Sequence, residues 1–162
     1  MEPVLITIGS NAGDRLAKCR LAVRRLAETG LMRVVKRSSL YLTRPWGREG
    51  QREFVNCAVE VKTALRPEEL LKLLNATEKS MGRSSGPRWG PRVIDLDIIF
   101  YGVHVKDWRV LKIPHPNAHQ RAFVMLPLSE IAPEFMHPLL GKKLSDIATG
   151  LGNEGVRVIG CL

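Results

Sequence analysis

Residues 54–62 alternate cleanly: Val55, Cys57, Val59 and Val61 project one way, and Phe54, Asn56, Ala58 and Glu60 the other. One side of that strand belongs to a core and the other is mixed. Residues 4–8 form a short β-branched run closed by Gly9. The following segment, 14–28, repeats Leu16, Cys19, Val23 and Leu26 at helical spacing. Residues 31–41 read as a second strand with weak alternation. Arg66-Pro67-Glu68-Glu69 opens a second helix with proline early and acids in its first turn. Its stripe is Leu70, Leu73, Leu74 and Met81, and Gly82 stops it. Residues 92–101 form a further strand on which Ile94, Leu96, Ile98 and Phe100 share a face. The predicted order is β-α-β-β-α-β, an α+β sandwich with a ferredoxin-like core whose sheet keeps one face open. Beyond Gly102 the pattern gives a proline-rich loop around Pro114 and Pro116, then short helices.

Within the stretch "GPRVIDLDIIF" the two acids change the picture. Residues two apart in a strand project to one side, roughly 6.5–7 Å apart. Asp95 and Asp97 therefore stand together, opposite the Ile94/Leu96/Ile98 row. Adjacent carboxylates repel unless a cation lies between them, and oxygen ligands without His or Cys suit magnesium. The plainer alternative pairs one aspartate with Arg92 and leaves the other in water. Arg83, Arg88 and Arg92 precede the pair and His115, His119 and Arg121 follow it. Guanidinium forks match phosphate oxygens, so the combination suggests a nucleotide polyphosphate.

Other candidates carry two readings. Phe54 and Asn56 could stack on and read a planar heterocycle, or be an exposed ring beside a polar neighbour. Trp46 and Trp89 lie in Gly/Pro-containing loops, as parts of a lid or as loop anchors. His115 and His119 are four apart, but Pro114 and Pro116 argue for a loop there. A phosphate contact suits His115 and a surface position His119. "GSNAGDR" lacks phosphate-loop spacing and reads as a tight turn with a helix cap.

The chain has 162 residues, 44% of them hydrophobic, enough to fill one domain spanning 1–162. No run of about eighteen apolar residues suggests a membrane span, and "MEPVLITIGSN" lacks signal-peptide order. A cytoplasmic protein without a membrane partner is expected. Cys19, Cys57 and Cys161 lie far apart, which suits reduced thiols and offers no zinc site. The net charge of +9 fits nucleic acid, an anionic surface or a polyanionic small molecule. A basic four-stranded sheet of this topology also describes an RNA-recognition module, but that domain needs exposed aromatics where this chain carries aspartates. A regulatory domain binding a small ligand without chemistry keeps the fold and leaves the aspartates and arginines unexplained.

Five segments, "IGSNAGDR", "SSLYLTRPWG", "EFVNCAVEV", "RWGPRVIDLDIIFYG" and "IPHPNAHQRAFVMLPLSEIAP", cover nearly the whole chain in order. Together they resemble the 6-hydroxymethyl-7,8-dihydropterin pyrophosphokinases, single-domain ferredoxin-like enzymes of folate biosynthesis. The resemblance implies transfer of diphosphate from ATP to the pterin alcohol, with AMP leaving, by a monomer that binds no nucleic acid. It implies two magnesium ions on Asp95 and Asp97, with Arg83, Arg92, Asp95 and Asp97 as the catalytic set. ATP would be held by Asn75, Glu78, Arg83, Trp89, Arg92, Ile98, His115 and Arg121. The pterin would lie between Phe54 and Phe123, with Thr43, Pro45, Trp46 and Asn56 completing its pocket and Asp95 close. Residues 82–90 would close over both substrates. Phe54 stands where a tyrosine is often found, Asn75 where glutamine is familiar, and Lys112 where a small hydroxyl residue can occur. No residue stands out as a general base.

Overall fold

The computed structural model describes residues 1–44, 50, 52–84 and 93–162. Strand β1 (Val4–Ser10) is followed by helix α1 (Arg15–Glu28), strands β2 (Met32–Arg37), β3 (Ser39–Thr43) and β4 (Phe54–Thr63), helix α2 (Pro67–Ser80) and strand β5 (Asp95–Tyr101). The "GSNAGDR" turn does cap a helix: Asp14 Oδ1 accepts the Ala17 N–H at 3.1 Å. At the start of α2, Glu69 reaches back to the Arg66 N–H at 2.8 Å behind Pro67.

The sheet runs β5–β1–β4–β3, with β2 also paired to β4 and every pairing antiparallel. This is the ferredoxin-like order, with the second strand delivered in two pieces. The single strand expected over 31–41 breaks at Ser38. There the Ser38 hydroxyl accepts the Ala58 N–H at 2.8 Å while the Ser38 N–H donates to the Ala58 carbonyl at 2.9 Å. A side chain thus replaces a carbonyl in the ladder, and the chain turns without leaving β4 unpaired.

Helices α1 and α2 pack on one face of the sheet. Cys19, Val23 and Leu26 of α1 and Leu70 and Leu74 of α2 bury against Val4, Ile6, Ile8, Val55, Cys57, Val59, Val61, Ile94, Leu96 and Ile98. The expected alignment of Phe100 with Ile94, Leu96 and Ile98 fails for a local reason. Leu5 faces Phe100 but Ile6 faces Ile98, so Ile99 is an extra residue in β5. The bulge turns Phe100 to the opposite face and sends Tyr101 into the helix-side core.

Nor is the second face bare. Helix α3 (Ala122–Ile131) lies across it, with α4 (Leu144–Leu151) against α3. Leu5, Ala58 and Phe100 bury with Val124, Met125, Leu128 and Leu144. The hydroxyl of Tyr41, on β3, donates to Glu130 Oε2 of α3 at 2.5 Å, and the same carboxylate takes the Ser39 N–H and hydroxyl. The open part of this face is confined to the rows beyond Ala58. Strand β8 (Val156–Cys161) extends the sheet beside β3, and β6 (Lys106–Asp107) and β7 (Lys112–Ile113) make a hairpin, neither foreseen from the pattern. No helix among the described residues is long and apolar enough to cross a membrane.

His137 fastens the segment between α3 and α4. Its Nδ1 accepts the N–H groups of Leu139 and Leu140, both at 3.2 Å, and its ring stands edge-on to Phe100 at 5.2 Å. Burial, then the neighbouring His119, hold its pKa below the ordinary histidine range. A depressed histidine pKa stabilises the fold above about pH 6.5, and that contribution is lost as pH falls through the folded value. Thermal melts between pH 7 and 5 should therefore fall less steeply for His137→Gln than for the unsubstituted protein. At pH 7 His137→Ala should cost roughly 2–4 kcal/mol in denaturant unfolding.

Candidate active site

The pairing register lays out the open face in rows. Asp97 lies beside Thr7, which lies beside Ala58; in the next row come Asp95, Gly9, Asn56 and Tyr41. Thr43 and Phe54 follow at the sheet's end. Asp95 and Asp97 therefore share a side, as their spacing predicts, while Leu96 between them is buried under the helices. Asp97 is exposed and Asp95 partly covered.

Gly9 brings β1 close under the Asn56 carboxamide. A Cβ at Gly9 would sit 2.7 Å from Asn56 Oδ1. The Asn56 amide donates to Thr43 Oγ1 at 2.8 Å, so both side chains are fixed although Asn56 is 8% and Thr43 3% exposed. Sequence reasoning read Gly9 only as the end of a strand and missed Thr7; the register between β1 and β4 is what identifies them. Phe54 is half-buried at the same end, as is Phe123 in the first turn of α3. The Arg121 guanidinium lies 5.9 Å from the centre of the Phe123 ring.

Arg83 leaves the end of α2 and reaches across to β5. Its Nη1 contacts Asp95 Oδ1 at 3.2 Å and also a carboxylate oxygen of Glu78. The other Glu78 oxygen accepts the Leu96 N–H at 2.6 Å. Glu78 is 4% exposed, and burial lifts its carboxyl above the ordinary range despite the downward pull of the Leu96 amide and Arg83. Both of its oxygens are engaged by the protein, whereas Asn75, three residues earlier, is exposed. Ile98 points into the helix-side core at 3% exposure, away from the aspartates. A nucleotide contact at Ile98 would fall to its main chain on the edge strand β5.

His115 lies in a loop between β7 and a 3₁₀ turn (Ala118–Gln120), with its N–H on the Ile99 carbonyl at 3.0 Å. Burial lowers its pKa from the ordinary value; Asp97 opposes that shift and Arg121 adds to it. His119 is half-buried rather than a surface residue, its ring 5.8 Å from that of His137. Arg92, Trp89, Arg88, Pro45 and Trp46 lie outside the described residues.

The donor set fits a hard divalent cation. Two carboxylates share one face, and Asp95 already draws a positive group to 3.2 Å. Among the described residues no cluster of three or more His, Cys, Asp or Glu side chains gathers. Such a pair suits magnesium, which keeps waters and takes phosphate oxygens for the rest of its shell.

An antiparallel α+β sandwich with paired carboxylates on its open rows, Arg83 reaching them from the end of α2 and His115 placed beside Asp97 and Arg121, fits an enzyme of the phosphate-transfer class. Residues 5–133 match the 7,8-dihydro-6-hydroxymethylpterin-pyrophosphokinase (HPPK) family, to which this chain belongs. It is 39% identical to the 2-amino-4-hydroxy-6-hydroxymethyldihydropteridine pyrophosphokinase of Aquifex aeolicus, over 90% of each chain. With the Bacillus subtilis protein of that name it shares 42% identity over 94% of this chain and 87% of that one. A mitochondrial folate synthesis bifunctional protein of Pisum sativum is 43% identical over 80% of this chain, which spans 25% of it. The wild-type Plasmodium falciparum HPPK-DHPS solved with pteroate shares the fold. Its TM-score is 0.73 at 16% identity, covering 91% of this chain and 42% of that one. The chain thus spans less than half the length of that solved structure.

Two measurements check this geometry. Gly9→Ala should displace the side-chain amide resonances of Asn56 and cost roughly 1–3 kcal/mol of stability; an unmoved Asn56 amide would show that the close approach is not a constraint. By NMR, His115 should titrate below the reference value of about 6.5, and Asp97→Asn should lower it further because the opposing negative charge is gone. A rise on that substitution would contradict the arrangement.

Proposed function

We propose that this protein transfers the terminal diphosphate of ATP to the hydroxymethyl oxygen of 6-hydroxymethyl-7,8-dihydropterin, releasing AMP, with its chemistry centred on Asp95 and Asp97. The observation that carries the residue assignment is the register that sets these two carboxylates, Asn56 and Thr43 on one face, with Arg83 reaching Asp95. Asp95 and Asp97 would hold two magnesium ions. Magnesium held there would supply positive charge against the phosphates.

The chain's own residues supply position and charge. Arg83, Arg92, His115 and Arg121 bind the phosphates, and Asn75, Trp89 and the main chain at Ile98 lie along the nucleotide. Phe54 and Phe123 hold the pterin plane between them, with Thr43, Pro45, Trp46 and Asn56 around its edge. The fixed Asn56 carboxamide has its amide turned to Thr43, so its Oδ1 can accept from a pterin N–H. Phosphoryl transfer of this kind requires little covalent work from the protein, so holding the attacking oxygen in line with the β-phosphorus is the main contribution. Burial lowers the pKa of the half-buried His115 from the ordinary value, which favours its neutral form.

The test is production of AMP from ATP, magnesium and the pterin alcohol. Asp95→Ala and Asp97→Ala should each lower turnover by about 10²-fold or more. Arg83→Ala and Arg92→Ala should lower kcat more than they weaken nucleotide binding, as expected for groups that act on the transition state. Inorganic phosphate as the product, or undiminished activity in the aspartate variants, would overturn the proposal.

A further inference from the structure

Strand β4 carries β1 along one side and both β2 and β3 along the other. β8 covers the outer side of β3, from Val156 beside Thr43 to Cys161 beside Ser39. β2, which leads into β3 through Ser38, has no strand on its outer side among the described residues. The line of β8 therefore continues as an open main-chain edge along residues 32–37, and such an edge is a template for a further strand. Beside it, between α1 and the ends of β2 and β8, lies a groove of about 530 Å³. Val23, Ala27 and Leu162 give it an apolar lining, while Arg20, Arg24 and Arg37 bring three guanidinium groups against one carboxylate, Glu28. Arg20 is partly engaged, its Nε and Nη2 donating to the Cys161 carbonyl at 3.2 and 2.9 Å. Arg24 and Arg37 are exposed, and among the described residues neither side chain has a hydrogen-bond or ion-pair partner. Like charges four apart on a helix repel, as Arg20 and Arg24 do, so a negatively charged occupant is favoured.

We infer that this groove docks an extended acidic segment of a partner protein, which adds to the open edge of β2 in line with β8. The mode is strand addition: main-chain hydrogen bonds to β2 supply the attachment, and the side chains on the α1 side of the segment set the choice of sequence. Acidic side chains there meet Arg24 and Arg37, and apolar neighbours cover Val23 and Ala27. A free phosphate or a nucleic-acid strand would use the guanidinium groups but neither the main-chain edge nor the apolar lining, so a peptide fits better. The groove lies on the side of the sheet that α1 covers, opposite to the side on which Asp95 and Asp97 stand, and its occupation does not depend on the chemistry proposed there.

The probe is a fluorescein-labelled peptide alternating glutamate and valine, titrated with the full chain by fluorescence anisotropy. It should bind saturably, whereas a peptide alternating lysine and valine should not. Arg24→Glu and Arg37→Glu should each weaken the acidic peptide roughly fivefold, as expected for loss of an exposed ion pair. Asp95→Asn should leave its affinity unchanged, which separates this groove from the open rows. Bound peptide should slow amide hydrogen exchange within residues 32–37, a readout that needs no substitution. Absence of saturable binding, unchanged affinity in both arginine variants, or unaltered exchange in β2 would overturn the inference. Loss of binding in Asp95→Asn, or displacement of the peptide by an equal concentration of inorganic triphosphate or of a single-stranded oligonucleotide, would overturn it as well.

Discussion

Strand β1 is hydrogen-bonded on both sides, to β4 and to β5, and those two registers decide which way each chemically important residue faces. Side chains alternate with period two, so a slip of one residue between β1 and β5 would carry Asp95 and Asp97 beneath α1 and α2 and turn Leu96 and Ile98 outward. The cost of burying two carboxylates in an apolar layer holds the register firmly. With Gly9 between Asp95 and Asn56, that pairing also joins the end of the face carrying Asp95 and Asp97 to the end carrying Thr43 and Phe54.

The two faces divide the work. Under α1 and α2 the sheet is continuous apolar core. On the other face the bulge at Ile99 separates a packed half from an open one. Phe100 turns toward α3 and α4 and stands against Phe135 at 5.0 Å, while residues before the bulge keep their outward carboxylates. Glu130 ties α3 to β3 through Tyr41 and Ser39, so the turn that presents Arg121 and Phe123 is braced against the strand that presents Thr43. Rigid elements supply the positions, as a site that relies on orientation requires.

Much of this was legible in the residues. Alternation in β4, helical spacing in α1 and α2, and the Asp14 and Pro67 helix starts yielded the βαββαβ order. The spacing of Asp95 and Asp97 gave their shared side. The signals that failed were those depending on a partner strand. The Ile99 bulge appears only in the pairing with Leu5 and Ile6, so local alternation assigns Phe100 to the wrong face. The break at Ser38 depends on its hydroxyl entering the β4 ladder, which no local pattern displays. Glu78 falls on a helical face that spacing can locate, but its burial and its two engaged oxygens follow from tertiary packing against Leu96 and Arg83.

Charge on the open rows is thus organised around Asp95 and Asp97, with Arg83 drawn to Asp95 from the end of α2. The most direct measurement is anomalous scattering from a crystal containing Mn²⁺ and a non-hydrolysable ATP analogue. The arrangement predicts metal density about 2.1 Å from oxygens of both Asp95 and Asp97 and in contact with the nucleotide's phosphates. Bound nucleotide with both aspartates turned to solvent and no metal beside them would contradict it.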